Sequence, residues 1–191
     1  CGEQTRRGRC AQRPVARAIV FGPMAAPRES WSIEVDKDYL KFSAAHFLIF
    51  PDGTAERLHG HNYKVTVDVH TELDAHGLAV NFKDIKPMVR RLCDELDEHL
   101  LIPGQHPVLR ATVQQDGRME IRYRERCYLV PADEVIVLPI GNTSAENLAT
   151  WFARELRSRM RAGWPQLVVK RLVVGVEETP GQRGIYTLTE G

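Results

Sequence analysis

The sequence predicts an α+β domain: an antiparallel sheet with two helices packed on one face, plus an inserted β-hairpin segment. Three observations carry that expectation. Asn62-Tyr63-Lys64-Val65-Thr66-Val67-Asp68-Val69 alternates polar and apolar residues at period two, which is the pattern of a strand buried on one side. Two windows, 84–96 and 143–160, repeat apolar residues at three- and four-residue spacing, as helices lying on a sheet do. The order along the chain is strands, helix, extra strands, helix, strands, and helices gathered on one face of the sheet are the simplest packing for it.

Taken in order, 31–35 and 39–45 read as extended, and Pro51-Asp52-Gly53-Thr54 reads as a loop. The strand at 62–69 buries Tyr63, Val65, Val67 and Val69, and a short strand is expected at 78–82. Asp84 is placed as the cap of the first helix, which buries Ile85, Met88, Val89, Leu92 and Leu96, with Pro87 in its first turn. Residues 105–140 hold the insertion: a turn at Asp116-Gly117, then strand candidates at 118–123, 126–130 and 135–139. The second helix opens with a capping box in which Thr143 and Glu146 serve each other's backbone donors, and its stripe is Leu148, Trp151, Phe152, Leu156 and Met160. Strands at 167–178 and 184–188 close the chain across the turn Pro180-Gly181-Gln182-Arg183.

The length suits one domain at 31–191, preceded by a flexible basic N-terminal segment at 1–30 rich in arginine, glycine and proline. Met24 stands just before the first strand, so residues 1–23 are read either as an over-long start or as a tail. Lys and Arg number 26 against 25 Asp and Glu, a balance that points to no nucleic-acid partner. No run approaches the ~20 apolar residues of a membrane span, so no membrane partner is expected. Four cysteines, at 1, 10, 93 and 127, have neither metal-finger spacing nor disulfide density, and a cytoplasmic location is the expectation. A sheet covered on one side leaves edges to protect, so a homo-oligomer is expected.

The chemistry concentrates in Leu58-His59-Gly60-His61-Asn62-Tyr63. Residues i and i+2 of a strand project to the same face, so His59 and His61 aim two imidazoles at one point, and His46 on the preceding extended run supplies a third. Three neutral nitrogen ligands suit Zn²⁺ and leave one coordination position open, as in catalytic rather than structural sites.

These residues resemble the 6-pyruvoyltetrahydropterin synthase and 6-carboxytetrahydropterin synthase family. The matching pieces are Phe42-Ser43-Ala44-Ala45-His46, His59-Gly60-His61-Asn62-Tyr63-Lys64-Val65, Asn81-Phe82-Lys83-Asp84-Ile85-Lys86, Leu96-Asp97, Thr143-Ser144-Ala145-Glu146-Asn147 and Val176-Glu177-Glu178-Thr179. The resemblance implies a tunnelling fold assembled as trimers stacked into a hexamer, zinc on His46, His59 and His61, and a small-molecule pterin substrate near subunit interfaces. It implies that Glu178 anchors the pterin ring by accepting paired N–H donors, with Thr143 and Ser144 also in the substrate site.

Two departures bear on the reaction. Members that make 6-pyruvoyl or 6-carboxy products carry a cysteine shortly before His-Gly-His; here the loop reads Asp52-Gly53-Thr54-Ala55-Glu56-Arg57-Leu58. Glu56, three residues before His59, resembles the branch in which glutamate replaces cysteine and dihydroneopterin phosphates are cleaved to 6-hydroxymethyl-7,8-dihydropterin. The family's Leu-Asp-His becomes Leu96-Asp97-Glu98-His99, so either Asp97 with His99 or Glu98 with His99 is the acid/base pair, near a helix C-terminus that favours a cationic imidazole. The expected function is therefore a zinc-dependent lyase with Glu56, Asp97 and His99 as catalytic residues. The alternatives are a 6-pyruvoyl- or 6-carboxytetrahydropterin synthase, and a non-catalytic zinc- and pterin-binding module.

Overall fold

The computed structural model describes residues 29–189, so the N-terminal segment expected at 1–30 falls almost wholly outside the described residues. The antiparallel meander expected from the sequence is present: β1 (Trp31–His46), β2 (His59–Thr71), β8 (Val169–Thr179) and β9 (Gln182–Thr189) are consecutive neighbours. The two extended runs expected at 31–35 and 39–45 are one strand, interrupted by a register shift between Asp36 and Lys41.

The sheet has six strands rather than four. β3 (His99–Pro103) pairs with the end of β1 at Ala44 and Ala45, and β7 (Val135–Leu138) pairs with β3; both pairings are parallel. This corrects the wholly antiparallel expectation. His99-Leu100-Leu101-Ile102-Pro103 is covered on both faces, so it carries no alternation by which a strand is recognised.

Helix α1 (Phe82–Leu96) starts earlier than expected because Asn81, not Asp84, is the cap; its side chain accepts from Lys83 N. Asp84 falls in the first turn, where a carboxylate suits the helix dipole, and Pro87 falls in the second. The strand expected at 78–82 is replaced by a turn: Asp74 Oδ1 accepts from His76 N at 2.8 Å and Leu78 N at 2.9 Å. Such side-chain bonds compete with a strand ladder for the backbone. Helix α2 (Ala145–Gly163) is capped by Ser144, which accepts from Asn147 N at 3.4 Å. Thr143 is therefore not the cap; it is buried, and its hydroxyl donates to Phe47 O at 3.0 Å.

Both helices pack on one face, as expected, α1 across β1 and α2 across β8 and β9. Phe42 stacks on Tyr63 with ring centroids 4.9 Å apart and meets Phe152 at 5.6 Å; burying each such side chain contributes about 1.5–3 kcal/mol. The insertion is more than a hairpin. β4 (Arg110–Val113), β5 (Arg118–Tyr123) and β6 (Arg126–Pro131) form a separate three-stranded sheet. It has its own apolar cluster around Phe47, Ile102, Ile121 and Tyr123, using the face of β3 that points away from the main core. Among the described residues no helix is long and apolar enough to cross a membrane.

Candidate active site

The alternation that buries Phe42 and Ala44 in β1, and Tyr63 and Val65 in β2, brings His46, His59 and His61 to one end of the same face. His46 lies directly across from His59, and Ala44 from His61. One nitrogen from each ring falls within 4.8 Å of the others, with ring centroids 4.7–5.3 Å apart.

Backbone carbonyls set the tautomers. His46 Nδ1 donates to Thr143 O at 3.0 Å and His59 Nδ1 donates to Arg57 O at 2.8 Å. A carbonyl only accepts, so both Nδ1 atoms carry the proton and both Nε2 atoms present lone pairs. Burial holds the His46 pKa below its ordinary 6.5 and keeps the ring neutral, although the Thr143 bond and Glu178 act the other way.

Two carboxylates complete the cluster. Glu178 Oε1 stands 3.2 Å from His46 Nε2 and 3.6 Å from His61 Nε2, and Glu56 Oε2 stands 3.9 Å from His59 Nε2. The Glu178 approach is not a hydrogen bond, since the His46 proton is on Nδ1, and His46 Nε2 is buried without a partner. Acceptors facing acceptors at this range repel unless a cation lies between them. The donor set therefore fits a divalent metal held by His46, His59 and His61.

Tyr63, which the alternation marked only as core, has its hydroxyl at this site, donating to Glu178 Oε1 at 3.3 Å. Burial first, and the Glu178 charge second, push its phenol well above the ordinary range, so it remains a donor. The available signal was its position two residues past His61 on the same face. Glu56 is oriented by Leu48 N, which donates to Oε2 at 3.1 Å. Thr143 supports His46 from behind through its carbonyl, and Ser144 caps α2.

Asp97 and His99 are brought together, but not into the histidine cluster. Asp97 Oδ1 accepts from Ser43 N at 2.7 Å, and His99 Nδ1 donates to Asp97 O at 2.6 Å. Glu98 is the displaced residue: exposed, with a left-handed φ of 61°. His99 and Glu98 line a cleft of about 420 Å³ with Ser43, His61, Asn62, Val130 and Glu134. Ser43 and Asn62 alternate to the face opposite His46, His59 and His61.

A sequence model of the 6-pyruvoyl tetrahydropterin synthase family matches residues 34–188. The chain belongs to that family. A Methanocaldococcus jannaschii protein with the provisional name 6-carboxy-5,6,7,8-tetrahydropterin synthase is 35% identical over 149 residues, covering 77% of this chain and 89% of that one. A Pyrococcus horikoshii protein of the same provisional name is 29% identical over 151 residues, covering 78% and 87%. The crystal structure of Plasmodium vivax 6-pyruvoyl tetrahydropterin synthase superimposes with a TM-score of 0.78 at 25% identity, covering 85% of this chain and all of that one. A variant of that protein with alanine in place of a catalytic glutamate also superimposes with a TM-score of 0.78. The tunnelling fold expected from the sequence is thus the fold observed.

Proposed function

We propose that this family member is a zinc-dependent lyase that cleaves the side chain of 7,8-dihydroneopterin, free or phosphorylated, to 6-hydroxymethyl-7,8-dihydropterin by retro-aldol chemistry. The observation that carries the reading is Glu56: a carboxylate 3.9 Å from His59 Nε2, on the metal-facing side of the ring, in the loop where the family's synthases place a cysteine. The Plasmodium vivax protein named 6-pyruvoyltetrahydropterin synthase also has a catalytic glutamate, so the product formed, rather than the residue type alone, separates cleavage from synthase chemistry.

His46, His59 and His61 would hold zinc, which would supply Lewis-acid polarisation of the substrate's side-chain hydroxyls. Glu178 accepts N–H donors of the pterin ring and holds it in register, while the Tyr63 hydroxyl donates to its Oε1. Glu56 takes the proton of the C2′ hydroxyl. The C1′–C2′ bond breaks, its electron pair moves into the C6=N5 imine, and C2′ leaves as the aldehyde carbon of glycolaldehyde or its phosphate. His99, its Nδ1 proton held by the Asp97 carbonyl, then delivers a proton to C1′. His99 and His61 line one cleft, so this acid stands beside the histidine cluster. β9 is paired on one side only, an edge suited to joining protomers in a trimer or hexamer.

A synthase reaction giving a 6-carboxy or 6-pyruvoyl product is the second reading, favoured by the names of the archaeal relatives. Incubation of the zinc-loaded protein with 7,8-dihydroneopterin triphosphate and monophosphate, followed by mass identification of the pterin, separates the two. Recovery of 6-hydroxymethyl-7,8-dihydropterin is expected; a 6-carboxy or 6-pyruvoyl product sinks the aldolase reading.

A further inference from the structure

The inserted β4–β6 sheet grips the loop that carries Glu56. Arg126 donates through Nη2 to the Ala55 carbonyl at 2.6 Å and through Nη1 to the Glu56 carbonyl. The Tyr123 hydroxyl donates to the Gly53 carbonyl at 2.8 Å. Gly53 has a φ of +80°, and the Arg124 guanidinium lies where a Cβ would stand. Tyr128 stacks on Phe47 at the loop's base, with centroids 5.6 Å apart.

The loop's own backbone bonds run from Phe50 N to Thr54 O, Gly53 N to Phe50 O and Glu56 N to Leu48 O. They close the turn and leave the carbonyls of Gly53, Ala55 and Glu56 to the insertion. One planar guanidinium bridging two consecutive carbonyls fixes backbone direction in a way a point charge does not.

We propose that Arg126, with Tyr123, is a positioning residue: the inserted sheet is a clasp that sets where the Glu56 carboxylate stands and thereby sets the turnover rate. This rests on the reading of Glu56 as the base. A displacement of ~1 Å at a reacting group is enough to lower a rate about 100-fold.

The test uses the zinc-loaded full chain with 7,8-dihydroneopterin monophosphate and triphosphate. Arg126→Ala is expected to lower kcat about 10- to 100-fold while KM changes less than about threefold. Zinc content is unchanged, Arg126→Lys recovers part of the rate, and backbone amides of 50–58 exchange faster. Combined with Glu56→Gln, Arg126→Ala causes no further loss, because both act through one carboxylate. Unchanged kcat with unchanged exchange, or a fully additive loss in the double variant, overturns the clasp. If Arg126→Ala does not fold, Tyr123→Phe removes one loop bond with the ring kept, and the same readouts decide. Wild-type turnover by Glu56→Gln defeats the reading of Glu56 as base; loop exchange in Arg126→Ala then decides alone, faster exchange supporting the clasp and unchanged exchange rejecting it.

Discussion

Replacing His46 by phenylalanine separates metal binding from packing. The imidazole is fully buried, at 0% exposure, and a phenyl ring of comparable volume opens no cavity of the kind that makes large-to-small core variants costly. Two polar effects oppose each other. The Thr143 carbonyl loses its 3.0 Å donor, about 1 kcal/mol. The buried, unpartnered Nε2 disappears, removing a desolvation penalty of about 1–3 kcal/mol. Metal-free variant and metal-free wild type should therefore unfold within about 8 °C of each other, at 2–4 °C per kcal/mol for a chain of this size. Zinc should separate them. At a free concentration about 1,000 times Kd, wild type gains about 4 kcal/mol, or roughly 8–16 °C; the variant, with two of three ligands, should gain a small fraction of that. Scanning calorimetry on metal-stripped and zinc-loaded samples measures both differences. Equal zinc shifts in the two proteins, or none in wild type, would refute the reasoning.

Glu178→Gln keeps the side chain's size and its acceptor for Tyr63 but removes the charge; KM for the pterin should rise about tenfold, or ~1.4 kcal/mol, with metal content unchanged, by steady-state kinetics and metal analysis. Pro87→Ala restores an N–H inside exposed helix surface and should raise stability by about 1–2 kcal/mol, read from urea midpoints, because proline costs an interior helix position more than its stiffening of the unfolded chain returns. The metal-free fold should weaken below about pH 6.5. The unfolded chain protonates His46 before the folded one does, so stability present above that pH is lost as pH falls; equal urea midpoints at about pH 7.5 and pH 5.5 would contradict this. Thiol labelling should modify exposed Cys127 and spare Cys93, which is buried with its thiol pushed up to about 12 by desolvation; peptide mass mapping distinguishes them.

The parts legible in the sequence are those with one buried face. β2 alternates because one side meets the helices and the other does not, and that same alternation placed three histidines together. β3 is buried on both sides and has no period to read. The α1 boundary was misplaced because Asn81 and Asp84 are both competent caps, and it is the Asn81 side chain that accepts from Lys83 N. In the site, the residue types announced themselves but their supports did not. The Thr143 and Arg57 carbonyls that fix two tautomers are backbone atoms, invisible in a string of side chains. The role of Tyr63 was hidden behind its hydrophobic ring. The place of Asp97 and His99 follows from one left-handed residue, Glu98, and a carboxyl side chain gives little warning of that backbone state.

The three clustered histidines lie between residues 46 and 61, on two strands of one hairpin, whereas the Tyr63–Glu178 bond joins residues 115 apart. Closing a loop of that length carries an entropy that a short hairpin does not. The histidine cluster and the Tyr63–Glu178 pair thus belong to different stages of chain assembly. A lesion that delays docking of β8 would leave the three histidines gathered before Glu178 reaches them.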